Sequence, residues 1–318
     1  MASMRDVGER ALVDRVIAKI RGTAHIGPGD DAACIDVSGV KLVASTDIVT
    51  MERHMPKGMT AEQFGWMAAA VSFSDIASMG ASPVGILTAV SLPPETDENV
   101  LYEIMNGISK CAEFCGTEIV GGDTKPGPGA VCGTALGVCL HEPLTRSGAR
   151  PGDLVAVTGC LGSAAAGWHA ALKGIDETDA VSSVMHPVPR VKEGMLLSAS
   201  KTVTSCMDLS DGLSTAVSAV CRNSKTGMDI VWESLPKGAG VDTVSGKLKI
   251  SEKEMMINSG GDYELLFTFP GDKSDVLCSS GICFSVIGTV TDGDSAYLIE
   301  NGEKRRLENR GYEHFTAD

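Results

Sequence analysis

Strand-like and helix-like segments alternate along this chain on both sides of one turn-rich stretch, LTRSGARPGD at 144–153. Such alternation restricts each half to a sheet layered with helices, an α+β architecture of two units. The stretch lies near the middle and predicts domains at 1–148 and 149–318. In the first, AACIDV and KLVASTDIV read as strands joined by the turn SGV. Residues 60–79 follow as a mostly apolar helix, then the strand VGILTAVSL, ended by Pro93 and Pro94. DENVLYEIMNGISKCAEFC is a helix, TEIVGGDT a strand running into a glycine turn, and AVCGTALGVCL another strand. The second half opens with the strand LVAVTG and the small-residue segment CLGSAAAGWHAALKG. It continues through VTSCMDLS, a helix over 212–224, MDIVWE, a helix over 251–258, YELLFTF and ICFSVIGTV. Ahead of both units, Leu12, Val16 and Ile20 share a stripe, with Asp6 near the start and Arg21 near the end, and predict an amphipathic helix over 6–21.

Composition narrows the classes. Hydrophobic residues make up 43% and aromatics only 4%, so small and branched aliphatic side chains must fill the cores of a soluble globular protein. No apolar run approaches the roughly 18 residues needed to span a bilayer, and the charged start MASMRDVGER lacks the apolar stretch of a signal peptide, so a cytoplasmic location is expected. Ten cysteines are scattered without a CxxC pair, which argues against a disulfide framework. Cys111 and Cys115 stand four apart on a predicted helix, as a buried apolar pair or a metal clip. The histidines form no HExxH zinc motif. A net charge of -14 argues against nucleic acid or an anionic membrane as partner, although Mg²⁺ on an acidic site can still recruit a phosphorylated substrate.

Everything then depends on whether the acids cluster. Asp30 and Asp31 stand in IGPGDDAA, Asp47 in STDIV, Asp75 in SFSDIASMGASP, Asp123 in GGDT, Asp208 and Asp211 in MDLSDGLST, and Asp262 in GGDYELL. Gly, Ser, Thr or apolar residues flank many of them, so their backbones are expected close to a core. Each alone reads as a cap or turn former. Together they read as a metal site. Two carboxylates about 5 Å apart repel by about 3 kcal/mol at an effective dielectric of about 20, so a cluster of them calls for cations. Oxygen donors alone, with the hydroxyls of Ser45 and Thr46 beside Asp47, suit hard ions such as Mg²⁺. Several Mg²⁺ beside glycine turns imply a polyphosphate nucleotide, yet the chain has no GxxxxGK[ST], GxGxxG or kinase HRD and DFG motifs. The turns GPGDD and GGDT would supply backbone amides instead. The repeated Ser-Asp places Asp75 and Asp211 at helix N-termini, aimed into the cleft between the domains.

In order, the motifs IGPGDDAA, STDIV with His54, SDIASMGASP, GGDT, TRSGARPGD, VTGCLGSAAAG, SDGL, GGDYELLF and the terminal GYEHF cover nearly the whole chain. The set resembles the thiamine-monophosphate kinase family, in the superfamily of aminoimidazole ribonucleotide synthetase. The resemblance implies direct in-line transfer of the γ-phosphoryl group of ATP to thiamine monophosphate, assisted by several Mg²⁺. It also implies a homodimer in which N-terminal sheets pair across a two-fold. By that pattern Asp30, Ser45, Thr46, Asp47, Asp75, Asp123, Asp208 and Asp211 match metal ligands, with Asp47, Asp75 and Asp211 the candidates for catalysis. Asp30, Gly122, Asp123, Arg146 and Ser210 match ATP-contacting positions, and His54, Asp262 and Tyr312 face the substrate. The residues alone leave Arg146 as a solvated junction residue, His54 as a structural histidine and Tyr312 as a ring closing the core.

Three positions depart from the family pattern. Gly261 stands where an extra acid is usual, so Asp262 is expected to take over that contact; Ser163 replaces a common acid, and Met105 a common tyrosine. The chain ends HFTAD without the cysteine tail of a hydrogenase-maturation protein, and its first cysteine, Cys34, lies beyond the position a selenophosphate synthetase would need. A non-catalytic metal-binding module is the alternative of another class, and Arg146 with the glycine turns counts against it.

Overall fold

The computed structural model describes residues 3–20 and 24–313. Arg21, the expected end of the first helix, and His314 and Phe315 of the terminal motif lie outside the described residues. The first half runs α1 (Met4–Val7), α2 (Glu9–Ile17), β1 (Ala33–Val37), β2 (Val40–Thr50), α3 (Met51–His54), α4 (Ala61–Ser78), β3 (Ser82–Leu92), α5 (Glu98–Phe114), β4 (Ile119–Pro126) and β5 (Ala130–Cys139). The second runs β6 (Asp153–Thr158), α6 (Ser163–Lys173), α7 (Thr178–Met185), α8 (Val191–Ser200), β7 (Ser205–Asp208), α9 (Leu213–Ser224), β8 (Gly227–Val231), α10 (Val241–Leu248), β9 (Leu265–Pro270), α11 (Ser274–Ser279), β10 (Phe284–Thr291), β11 (Ala296–Glu300) and β12 (Glu303–Arg306). The strands form two mixed sheets, β1-β2-β5-β3-β4 and β12-β11-β8-β10-β6-β9-β7. Among the described residues, only β3–β4 and β8–β11 pair in parallel.

Helix α4 organises the molecule. Thr60 and Gln63 close a capping box at its start, with Thr60 Oγ1 accepting from the Gln63 amide at 3.1 Å and the Gln63 side chain accepting from the Thr60 amide at 2.9 Å. From Phe64 to Ala70 every residue is buried, because α4 packs on β2 and β5, on α5, and on α8 and β7 of the second half. A helix apolar all round is a central one. Its neighbours approach closely enough that their contact points lack side chains. A Cβ on Gly65 would stand 2.0 Å from the Ile104 carbonyl oxygen, one on Gly107 1.8 Å from that of Glu62, and one on Gly194 2.0 Å from that of Ala77. One apolar cluster therefore runs from Phe64, Phe73 and Ile76 into Leu197, Phe267 and Phe269 of the second half.

Strand alternation in β2 divides its residues cleanly. Val43 and Val49 are buried toward α4, on the same side as Ser45 and Asp47; Val40, Thr46 and Ile48 are exposed on the opposite face. Ile35, Val84, Leu87 and Val120 are likewise exposed on β1, β3 and β4.

Several expectations need correction. Asp75 stands in the last turn of α4, not at a helix N-terminus; the helix begins at Ala61 and the chain turns only at Gly80, with φ 66°. Gly121, Gly122 and Asp123 belong to β4 and not to a turn. A Cβ on Gly122 would stand 2.0 Å from the Thr88 carbonyl oxygen of β3, so that glycine serves strand approach. The first helix is split by Gly8 into α1 and α2, and α2 buries none of its side chains. The segment 251–258 winds wider than an α-helix over Glu254–Asn258.

Gly107→Ala is expected to destabilise the protein by about 1–3 kcal/mol, because the new methyl must push α5 away from α4. A lower urea midpoint with unchanged far-ultraviolet dichroism is the expected result.

Candidate active site

Three chain segments meet beside the C-terminal half of α4. The loop before β1 brings Asp31, α4 brings Asp75, and the end of β7 brings Asp208; one carboxylate oxygen from each lies within 4.8 Å of the others. Asp31 has a fully buried side chain. Ser45 Oγ, from β2, donates to Asp75 Oδ2. Asp47, two residues along the same face, neighbours Ser72 and Asp75. Across the junction between halves, Ser74 Oγ donates to Asp208 Oδ2 at 2.7 Å, and Ser210 Oγ donates to Asp208 Oδ1 at 3.2 Å. Arg146 is the cation at the edge of the group, with Nε 2.8 Å and Nη2 2.5 Å from Asp31 Oδ1. Its backbone amide donates to Asp30 Oδ1 at 3.1 Å. A solvated junction residue it is not.

These acids resist ionising. Burial holds the Asp75 carboxyl well above the ordinary range, and the charges of Asp47, Asp208 and Asp31 push it further. Burial, then Asp31, pushes Asp208 up to about 7, against the Ser74 bond and the Arg146 charge. Asp30 is pushed up to about 6 by burial and then by Asp31. Burial also raises Asp47. Asp31 Oδ2 and Asp47 Oδ2 are buried and, among the described residues, meet no hydrogen-bond donor. Orphaned carboxylate oxygens in a nest of acids are what a hard divalent cation satisfies, so the donor set fits Mg²⁺.

The other sequence-derived candidates lie outside this cluster. Thr46 points to the opposite face of the sheet, where Oγ1 donates to the Gly133 carbonyl at 3.0 Å and lies 2.9 Å from Thr134 Oγ1, so its hydroxyl does not join Ser45 and Asp47. Asp123 is exposed on edge strand β4 beside Gly122, its carboxylate 3.4 Å from Lys125 Nζ. His54 Nδ1 accepts from the Thr50 amide at 3.0 Å, which closes α3. Asp262 accepts from the Gly162 amide at 2.6 Å and the Ala164 amide at 3.0 Å, capping α6, and burial pushes its carboxyl up to about 7. Ser163, at the first turn of α6, accepts instead from the Ala239 amide at 3.0 Å. Met105 packs against the apolar cluster around α4. Asp211 does precede a helix, since Gly212 caps α9, and its carbonyl accepts from the Tyr312 amide at 3.2 Å. Tyr312 is 47% exposed, so its ring does not close the core.

The family pattern takes Asp30 from the DD doublet, whereas the structure brings Asp31 to Asp75 and Asp208. In sequence, two adjacent carboxylates give no sign of which one turns inward.

With its two mixed-sheet units, the chain is an AIR synthase related protein, as the matches to both domains of that class show. The N-terminal domain model of that class matches residues 29–139 and its C-terminal domain model matches 150–301. The thiamine-monophosphate kinase of Methanopyrus kandleri is 33% identical over 88% of this chain and 88% of its own length. That of Escherichia coli is 31% identical over 98% of this chain and 99% of its own. The solved structure of AaThiL complexed with AMPPCP and TMP has a TM-score of 0.89 at 25% identity, covering 99% of each chain. The chain belongs to the thiamine-monophosphate kinase family.

A raised carboxyl makes a testable signature. Asp208 binds its proton more tightly folded than unfolded, so its contribution to stability is fully present below the unfolded value of 3.8 and is lost as the pH rises toward about 7. Asp208→Asn is therefore expected to raise the Tm of metal-free protein at about pH 8, with a gain that shrinks toward about pH 4. Melting curves across that range check the sign.

Proposed function

We propose that this chain transfers the γ-phosphoryl group of ATP to the phosphate of thiamine monophosphate, giving thiamine diphosphate. Its whole-length likeness to AaThiL complexed with AMPPCP and TMP carries the reading. The nest of Asp31, Asp75 and Asp208 supplies its chemistry. Phosphoryl transfer asks a protein for position and charge neutralisation more than for covalent chemistry. Bound Mg²⁺ would neutralise both the acids and the phosphates of two mutually repelling anions. In this reading Asp31, Asp75 and Asp208 hold metal directly, with Asp30, Ser45, Asp47 and Asp211 around them. Thr46 and Asp123 belong to the wider set implied by the family pattern. Arg146 steadies Asp31 and, with Gly122 and Ser210, faces the nucleotide; a planar guanidinium suits phosphate. Tyr312, His54 and Asp262 stand on the acceptor side, where an exposed aromatic ring stacks well on a cationic thiamine ring.

A division at 148/149 goes with this reading, supported by the five strands of one sheet ending at Cys139 and the seven of the other beginning at Asp153. Ten free thiols suit a reducing, cytoplasmic compartment. We also propose the homodimer, supported by the exposed Ile35, Ile48, Val84 and Leu87 on the open face of the first sheet. Such a patch calls for a cover.

Incubation with ATP, Mg²⁺ and thiamine monophosphate should yield thiamine diphosphate. Asp75→Asn and Asp211→Asn should each lower turnover by about 10²-fold or more and reduce the rise in Tm produced by Mg²⁺-ATP. Near-native turnover with an undiminished thermal shift in both would defeat the metal reading. Sedimentation should show a dimer at micromolar concentration, and Ile48→Glu with Leu87→Glu should shift it to monomer.

A further inference from the structure

The two ends of the described chain meet beside Asp211, and one side chain joins them. Arg10, in the first turn of α2, donates through Nη2 to the Tyr312 carbonyl at 2.8 Å, the Gly311 carbonyl at 3.0 Å and Thr215 Oγ1 at 3.1 Å. Its Nη1 lies 3.6 Å from a Glu313 carboxylate oxygen, and its backbone amide donates to Glu313 Oε1 at 3.1 Å. Thr215, in the first turn of α9, passes the connection on by donating to Asn309 Oδ1 at 3.0 Å. The strap over 307–313 is thereby pressed onto the start of α9. A Cβ on Gly311 would stand 1.9 Å from Thr215 Oγ1 and 2.4 Å from the Asp211 carbonyl oxygen. Only glycine permits that approach.

We infer that Arg10 is a positioning residue for the acceptor side of the site: it pins the strap to the Asp211 turn and so sets where the Tyr312 ring stands. The inference rests on the reading in which Tyr312 faces thiamine. Nη2 shares its two hydrogens among three acceptors from two different segments, while Nη1 faces a carboxylate. A planar guanidinium reaches both groups at once through two fixed nitrogens, whereas a lysine ammonium would have to reach them from a single atom on a flexible stem. The bonds of Arg10 run to the strap and to α9, not to the acidic nest; it acts through Tyr312 and the backbone of Asp211. Its loss should therefore loosen the acceptor and leave the nucleotide alone.

The test uses the full chain, with Arg10→Ala, Arg10→Lys, Tyr312→Ala and the Arg10→Ala/Tyr312→Ala double variant. Arg10→Ala should raise KM for thiamine monophosphate about tenfold and leave KM for ATP within about twofold, with Arg10→Lys intermediate. In the Tyr312→Ala background the same change should add nothing, because the ring it positions is gone. Hydrogen exchange at the Tyr312 amide should quicken in Arg10→Ala, with or without substrate. Unchanged exchange overturns the clamp. Quickened exchange with a native KM for thiamine monophosphate, while Tyr312→Ala raises it, overturns the positioning role. A native KM in Tyr312→Ala overturns the reading of Tyr312 and the acceptor role of Arg10 with it, and exchange then decides the clamp alone. Equal losses for both substrates, tracked by a fall in Tm, would make Arg10 merely structural.

Discussion

Like charges held together in a place with little water are the condition that the rest of this fold serves. Asp31, Asp75 and Asp208 come from a loop, a helix and a strand that are far apart in sequence, and each would ionise more readily if they moved apart. The packing around them must therefore resist separation. It does so with α4, which α5, α8 and β5 approach at glycines that leave no slack, and with hydrogen bonds such as Ser74 to Asp208 that run from one half of the molecule to the other. Arg146 lowers the repulsion by standing on Asp31, but one cation cannot balance the group. The residual repulsion is what a divalent ion would relieve.

The same helix explains why one apolar core reaches from the first sheet to the second, while a separate core fills the other side of the second sheet. A chain with so few aromatic side chains gains little burial from any single residue, and instead brings backbones close. Glycines at the crossings of α4 with α5 and α8 allow that, and the small residues between them fill the remaining space. The acidic nest is thus built on helix and strand, with Asp31 alone coming from a loop. For phosphoryl transfer, where position is most of the catalysis, a rigid mounting is an advantage.

Much of this is legible in the sequence. The first sheet can be read largely strand by strand, because turn residues bound its apolar runs. The second half is harder. Helices α7 and α8 carry mixed small and polar residues with Pro187 and Pro189 between them, which gives no clear period, and β12 is the charged run EKRR, exposed throughout on a sheet edge. Ser-Asp reads as a cap and so misplaces Asp75, whereas the signal that ends its helix is Gly80 downstream. Adjacency in sequence groups Thr46 with Ser45 and Asp47, although alternation in a strand sends it to the other face. Arg10 has no signal at all, since its partner Glu313 lies 303 residues away.

Strand β2 carries two messages on one strip of chain. Its odd-numbered residues from Val43 to Val49 face the helix and include Ser45 and Asp47; its even-numbered residues from Val40 to Ile48 form part of the bare apolar face. Pairing with both β1 and β5 locks that assignment from each side. Inserting or deleting one residue here would exchange the two sets, driving hydroxyl and carboxylate onto the outer face and branched aliphatics against the acids. The lineage of such a chain can revise either face by substitution, one letter at a time. It cannot change the length of this strand without rewriting both.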